Sequence, residues 1–232
     1  MKLSPRLEAI AEIIRQNPVH KMADIGTDHG YLPIYLVENG IVQHAIASDL
    51  NVGPLESARG AVDEAGLGEM IDVRLGSGLE TLSVKEVQSV VVAGMGGVLI
   101  ASLLAQSALV SRELDYMILQ PMQAQAELRE WLQKSHYDIV EARVVREGDK
   151  YYDILKVKNG SMPQLDWSDI NLGYRVVPSQ DYRAYLEYRI DVQNQVIEGL
   201  KKGKRWESLV TAHQTLEAMR ERLLAVSNLL SQ

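Results

Sequence analysis

The stretch KMADIGTDHGYLP, residues 21–33, limits what this chain can fold into more than any other. An apolar run climbs to Asp24-Ile25-Gly26. A polar turn, Thr27-Asp28-His29-Gly30, follows, and an amphipathic segment begins at Tyr31. Strand, glycine turn and helix start, in that order, point backbone N–H groups at a nucleotide-like ligand.

The flanking sequence supplies the rest of an α/β sheet. Ser4-Pro5 reads as an N-cap and first helical position, and Leu7, Ile10 and Ile14 mark one apolar face of a helix that ends at Asn17-Pro18. Strands are expected over 22–25, 44–48, 71–75, 89–93 and 116–119, with helices over 30–39, 53–65, 98–108 and 123–134 between and after them. The pattern then changes. Residues 137–146 and 150–158 alternate as two strands around Glu147-Gly148-Asp149, a hairpin signal. A dinucleotide-binding fold would add a sixth βα unit here. A terminal hairpin that inserts one antiparallel strand is how class I S-adenosylmethionine (SAM) methyltransferases complete their Rossmann-like sheet, a likeness of fold that does not by itself give function.

Residues 165–178 read as an irregular linker. Leu186, Ile190, Gln193, Ile197 and Leu200, and then Leu209, Ala212, Leu216, Met219, Leu223, Val226 and Leu230, carry the alternating 3- and 4-residue spacing of a coiled-coil seam. Gly199 and Gly203 interrupt between them, predicting an antiparallel helical hairpin tipped by Lys201, Lys202, Lys204 and Arg205.

Composition removes several function classes. The 232 residues contain no cysteine, so disulfides, thiolate zinc sites and cysteine nucleophiles are excluded. The five histidines (20, 29, 44, 136 and 213) show no metal-ligand spacing, and no metal is expected. No apolar run approaches a membrane span, mean hydropathy is −0.11, and residues 1–16 lack a signal-peptide apolar core, so a cytoplasmic protein is expected. The net charge of −7 sits on the N-terminal part: from Pro178 onward, eight Lys and Arg face seven Asp and Glu.

The first loop is not the dinucleotide fingerprint G-x-G-x-x-G. Gly26 and Gly30 stand four apart, and Asp28 occupies the place of the second glycine. A pyrophosphate is repelled there. The sulfonium and ammonium of SAM are attracted, which favours SAM over NAD on Coulomb grounds. The alternative is an Asp that only caps a helix. Asp49, at the end of strand two, is placed to accept ribose hydroxyls, or is simply a turn residue. Gly76-Ser77-Gly78 lies where a methyltransferase meets adenine, unless it is only a flexible turn. Gly94-Met95-Gly96-Gly97 faces the methyl group and acceptor, with Met95 equally readable as core filler.

At this point the chain resembles the bacterial tRNA (adenine-22-N1)-methyltransferase family, TrmK. The motifs that carry the resemblance are LSPRL at 3–7, ADIGTDHGYLP at 23–33, ASDLNVGPLESA at 47–58, RLGSGLE at 74–80, AGMGG at 93–97, LQP at 119–121, LREWL at 128–132 and YYDIL at 151–155. Ser77, where Asp or Asn is more usual, and Met122, where Asn commonly follows Gln-Pro, depart from the pattern. The resemblance implies a SAM-dependent methyltransferase domain over 1–160, a linker over 161–180 and a coiled-coil hairpin over 181–232. It implies SAM held by Arg6, Asp24, Gly26, Thr27, Asp28, His29, Gly30, Asp49, Leu50, Gly76, Ser77, Gly78, Leu79, Ala93, Gly94 and Met95. It also implies a tRNA partner and a monomer or weak homodimer through the coiled coil.

Adenine N1 carries an in-plane lone pair, so its methylation needs orientation and a negative field more than a general base. Asp28 is the expected source of that field and His29 is expected to shape the pocket; the alternative is that Asp28 only binds the SAM ammonium. The AGMGG loop also lacks the N/D-P-P-Y pattern used on exocyclic amines. N1 lies on the Watson–Crick edge, so the base must be unpaired or flipped out, and the tip cations are candidates for phosphate contact. Tyr182, Tyr185 and Tyr188 either stack on RNA or pack against the domain. Competing readings are a SAM enzyme acting on a small molecule and a non-enzymatic assembly module.

Overall fold

A computed structural model describes residues 2–231. Seven strands form one sheet in the order β3-β2-β1-β4-β5-β7-β6. They are β1 (Lys21–Ile25), β2 (His44–Asp49), β3 (Ile71–Leu75), β4 (Ser89–Gly96), β5 (Tyr116–Gln123), β6 (Tyr137–Glu147) and β7 (Lys150–Asn159). β1 to β5 are parallel, and β7 inserts antiparallel between β5 and β6.

Helices cover both faces. α1 (Pro5–Gln16) and α2 (Tyr31–Glu38) bury Ile10, Ile14, Ile34 and Leu36 against Met22, Val91 and Ile118. α3 (Val52–Glu64) adds Val62 to that face. On the other face α4 (Gly97–Gln106), α5 (Ala108–Ser111) and α6 (Gln125–Lys134) place Ile100, Leu104, Val110, Leu128 and Leu132 over Ala23, Ile25, Val90 and Val92. The strands are covered on both sides, which explains why they read as continuous apolar runs rather than alternations. The Ser4 hydroxyl caps α1 by accepting from the Leu7 N–H, with Pro5 as the first helical residue.

Two strands outrun their expected ends. β4 continues through the glycines to Gly96 and β5 through Pro121 to Gln123, because the two extensions pair with each other. Ala93 faces Gln120 and Met95 faces Pro121, so Gly94 bulges out of register.

Residues 165–178 are not irregular throughout. Asp166 caps a short helix, α7 (Trp167–Leu172), and Val176 forms a parallel bridge with Ala142. Nor does Gly199 break the first long helix. α8 (Gln180–Lys202) runs through it, Gly203 caps it, and α9 (Trp206–Leu230) returns antiparallel. An i→i+4 ladder tolerates a single glycine at modest cost. Ile197, Leu209, Ala212 and Leu216 close the outer part of the seam, while the base shares a core with the sheet domain through Val144, Leu172, Tyr182, Leu186, Met219 and Val226. Tyr182 is buried, and Tyr185 and Tyr188 pack on Tyr151, so the tyrosine set packs at the base. A buried Arg129–Asp153 ion pair, with Arg129 also donating to the Ile170 carbonyl, ties α6, β7 and α7 beneath that core. Among the described residues no helix is long and apolar enough to cross a membrane.

Candidate active site

The order 3-2-1-4-5 reverses between β1 and β4, and a cleft opens there at the carboxyl ends of the strands, as expected for an open α/β sheet. It has two lobes that share Gly26, Asp49, Asn51, Ala93 and Gly94. The first, about 490 Å³, is walled by Arg6, Asp24, Thr27, Asp28, His29 and Met122 among others. The second, about 320 Å³, is walled by Leu50, Gly76, Ser77, Gly78, Met95 and Leu99.

The turn after β1 is built backbone first. The Gly26 and Thr27 N–H groups both donate to the Ser48 carbonyl, at 2.8 and 3.0 Å. Gly26 has φ +75°, and a Cβ there would collide with the Met95 methyl group. The left-handed backbone conformation is what favours glycine here, since the Met95 methyl is the free end of a flexible side chain that can swing aside from a Cβ. Met95 packs on the core and also lines the second lobe.

Asp24, Asp28 and Asp49 each line the first lobe. Asp24 is buried and accepts from the Thr27 hydroxyl at 2.8 Å. Burial pushes its carboxyl up to about 6; the Thr27 hydrogen bond opposes this and the Asp49 charge reinforces it. Asp49 is also buried. One of its oxygens receives the Asn51 N–H at 2.8 Å and the other lies 3.4 Å from the Asp28 N–H. Asp28 has φ +54°, and its side chain is 68% exposed at the rim. His29 bridges Ser57 and Asp28: its Nδ1 lies 2.7 Å from the Ser57 hydroxyl on α3, its ring stacks on Tyr31, and its Nε2 is 3.6 Å from the Asp28 carboxylate.

Of the sixteen residues expected around the cofactor, Gly30 and Leu79 do not line the cleft. Gly30 caps α2 against Ala58, and Leu79 is fully buried in the core. Gln120 was missed. It is fully buried at the sheet end, and its Oε1 accepts from Arg6 Nη1 at 2.6 Å and from the Gly94 N–H at 3.1 Å. The LQP motif was the available signal, but a glutamine at a strand end shows no partner until β4 and α1 are placed beside it. The Met122 sulfur lies against the same Arg6 nitrogen at 3.8 Å.

A methyltransferase-domain family model matches residues 3–155. A Bacillus subtilis tRNA (adenine(22)-N(1))-methyltransferase is 40% identical over 160 residues, covering 69% of this chain and 66% of that protein, so the alignment spans just under two thirds of this relative's length. The crystal structure of the B. subtilis M1A22 tRNA methyltransferase TrmK superposes with a TM-score of 0.79 at 30% identity, over 96% of this chain and 99% of that one. The chain belongs to the TrmK methyltransferase family. A Streptococcus pneumoniae structure in complex with S-adenosyl-L-methionine is 32% identical, with a TM-score of 0.83 over 96% of this chain and 100% of that one. Among the described residues of this TrmK-family chain, no cluster of three or more metal-ligating side chains occurs.

Proposed function

We propose that this protein transfers a methyl group from SAM to N1 of an adenine in tRNA, adenine-22 by its family. The observation that carries the reading is the carboxylate-lined turn at a switch-point cleft, in a chain of the TrmK family. The residues present fit SAM. Asp24, Asp28 and Asp49 suit a ligand that carries cationic groups and ribose hydroxyls but no phosphate, and Gly26 lines both lobes with backbone alone.

In this reading Asp24 and Asp28 hold the ammonium end, with Arg6 closing over it from α1. Asp49 accepts the ribose hydroxyls. Leu50, Gly76, Ser77, Gly78 and Met95 enclose the adenine end. When bound, SAM supplies the electrophilic methyl group. The chain's own task is to present N1 in line and to stabilise positive charge growing on the target base. Asp28 reaches the rim with its side chain 68% exposed, the His29 Nε2 at 3.6 Å being its neighbour, and that exposure supports an electrostatic role toward the base. His29, held by Ser57, shapes the wall.

Lys201, Lys202, Lys204 and Arg205 contact RNA phosphates from the hairpin tip. The seam closes within one chain, which supports a monomer over a weak homodimer. A tRNA substrate makes the protein cytoplasmic.

Incubation with unmodified tRNA and labelled SAM, followed by nucleotide mapping, tests the assignment. N1-methyladenosine at a single position is expected. Label that enters only small molecules, or no label transfer, overturns it in favour of the small-molecule or assembly readings. Deleting the hairpin is a poor alternative test, because it would strip Val144 and Leu172 of their cover.

A further inference from the structure

The outer half of the hairpin makes no core with the sheet domain. Ile190 is the last α8 residue packed at the base, and the helix continues to Lys202. At 1.5 Å per residue this carries the tip roughly 18 Å beyond that layer. At the tip Trp206 opens α9 and is 64% exposed. It is not part of the seam, which Ile197, Leu209, Ala212 and Leu216 fill. Val210, one turn on, is 63% exposed, so the two form an apolar strip on the outer face. Lys204 and Arg205 line the same shallow depression as Trp206. Lys201 is engaged by Glu198 at 2.9 Å, whereas Lys202, Lys204 and Arg205 have no ion-pair partner among the described residues.

A free indole ringed by unpaired cations is the combination that grips single-stranded nucleic acid, with cations on phosphates and a base on the ring face. We propose that Trp206 is a stacking platform for an unpaired tRNA base, held in register by phosphate contacts from Lys202, Lys204 and Arg205. The proposal deepens the tRNA reading and rests on it. Because the tip projects away from the base of the hairpin, the stacked nucleotide is a second anchor, separate from the base being methylated.

The test compares the full chain with Trp206→Ala, Trp206→Phe and a Lys204→Ala/Arg205→Ala double variant. tRNA dissociation constants are measured at several salt concentrations, with calorimetric SAM affinity as the check on integrity. Trp206→Ala should weaken tRNA binding about 5- to 150-fold, the range for loss of one stacked base, with the salt slope and SAM affinity unchanged. Trp206→Phe should recover most of the loss. The double variant should flatten the salt slope by about 0.7–0.9 per lost phosphate contact. Trp206→Ala binding tRNA within about twofold of wild type overturns the proposal, as does a loss that Phe fails to restore. A change in oligomeric state without a change in tRNA affinity also overturns it, assigning the strip to a second copy of the chain. Failure of the wild-type protein to methylate any tRNA would sink the broader reading instead, so the two failures are distinguishable.

Discussion

Arg6, which lines the cleft, and the fully buried Gln120 meet at 2.6 Å, although 114 positions separate them in sequence. Gln120 also receives the Gly94 N–H, so one buried amide oxygen fixes α1 and the bulge of β4 relative to each other. Gln120→Leu would leave the Gly94 N–H and an Arg6 donor without this acceptor, at about 1–3 kcal/mol per stranded group. Calorimetry should show weaker SAM binding together with a lowered melting temperature. Gln120→Glu, which keeps an acceptor and adds a charge opposite Arg6, should bind SAM better than the Leu variant.

The raised carboxyl of Asp24 makes cofactor binding pH-dependent. A bound cation favours ionised Asp24, so below about 6 binding must expel a proton. SAM affinity should fall by up to about tenfold per pH unit below that point and level off above it. Asp24→Asn should remove this dependence. In the free protein the sign for stability is opposite. The folded value lies above the ordinary 3.8, so Asp24 contributes stability that is fully present below 3.8 and is lost as pH rises through about 6. Thermal melts of the free wild type and the Asn variant across that window measure this contribution.

Gly26→Ala should cost about 1–2 kcal/mol for the left-handed backbone, with little added by Met95, whose terminal methyl can move aside. SAM binding should be lost or nearly so. Adding Met95→Ala should restore little of the melting temperature, because the backbone conformation at residue 26 and not the flexible Met95 methyl sets the cost.

Asp28→Asn separates the two roles proposed for this side chain. If the carboxylate supports charge on the target base, turnover falls at saturating SAM and tRNA, by about 10- to 100-fold for a loss of 1.4–2.7 kcal/mol. Full turnover under those conditions would confine Asp28 to holding the donor. Single-turnover rates under saturation decide between them.

Arg129→Met leaves Asp153 buried without its counter-charge and frees the Ile170 carbonyl. A loss of about 3–5 kcal/mol in denaturant unfolding is expected. Arg129 lies beneath the base of the hairpin, so protease sensitivity should rise first within residues 165–178.

The sequence by itself determined the order of strands and helices, the glycine turn after β1, the carboxylates of the cleft and the helical hairpin. These are local matters: an apolar period, a cap or a glycine is written within a few residues, and Ser4, Gly26 and the seam leucines carry them. What only the tertiary structure decided depends on partners far away in the chain. The extension of β4 to Gly96 exists because β5 pairs with it, and the bulge at Gly94 exists because Gln120 and Pro121 fix the register. His29 meets Ser57 through Nδ1 because α3 packs beside α2. Gln120 becomes a site residue, Leu79 a core residue and Trp206 an unpacked one only when neighbours are placed around them, since burial and pairing are properties of the assembled chain.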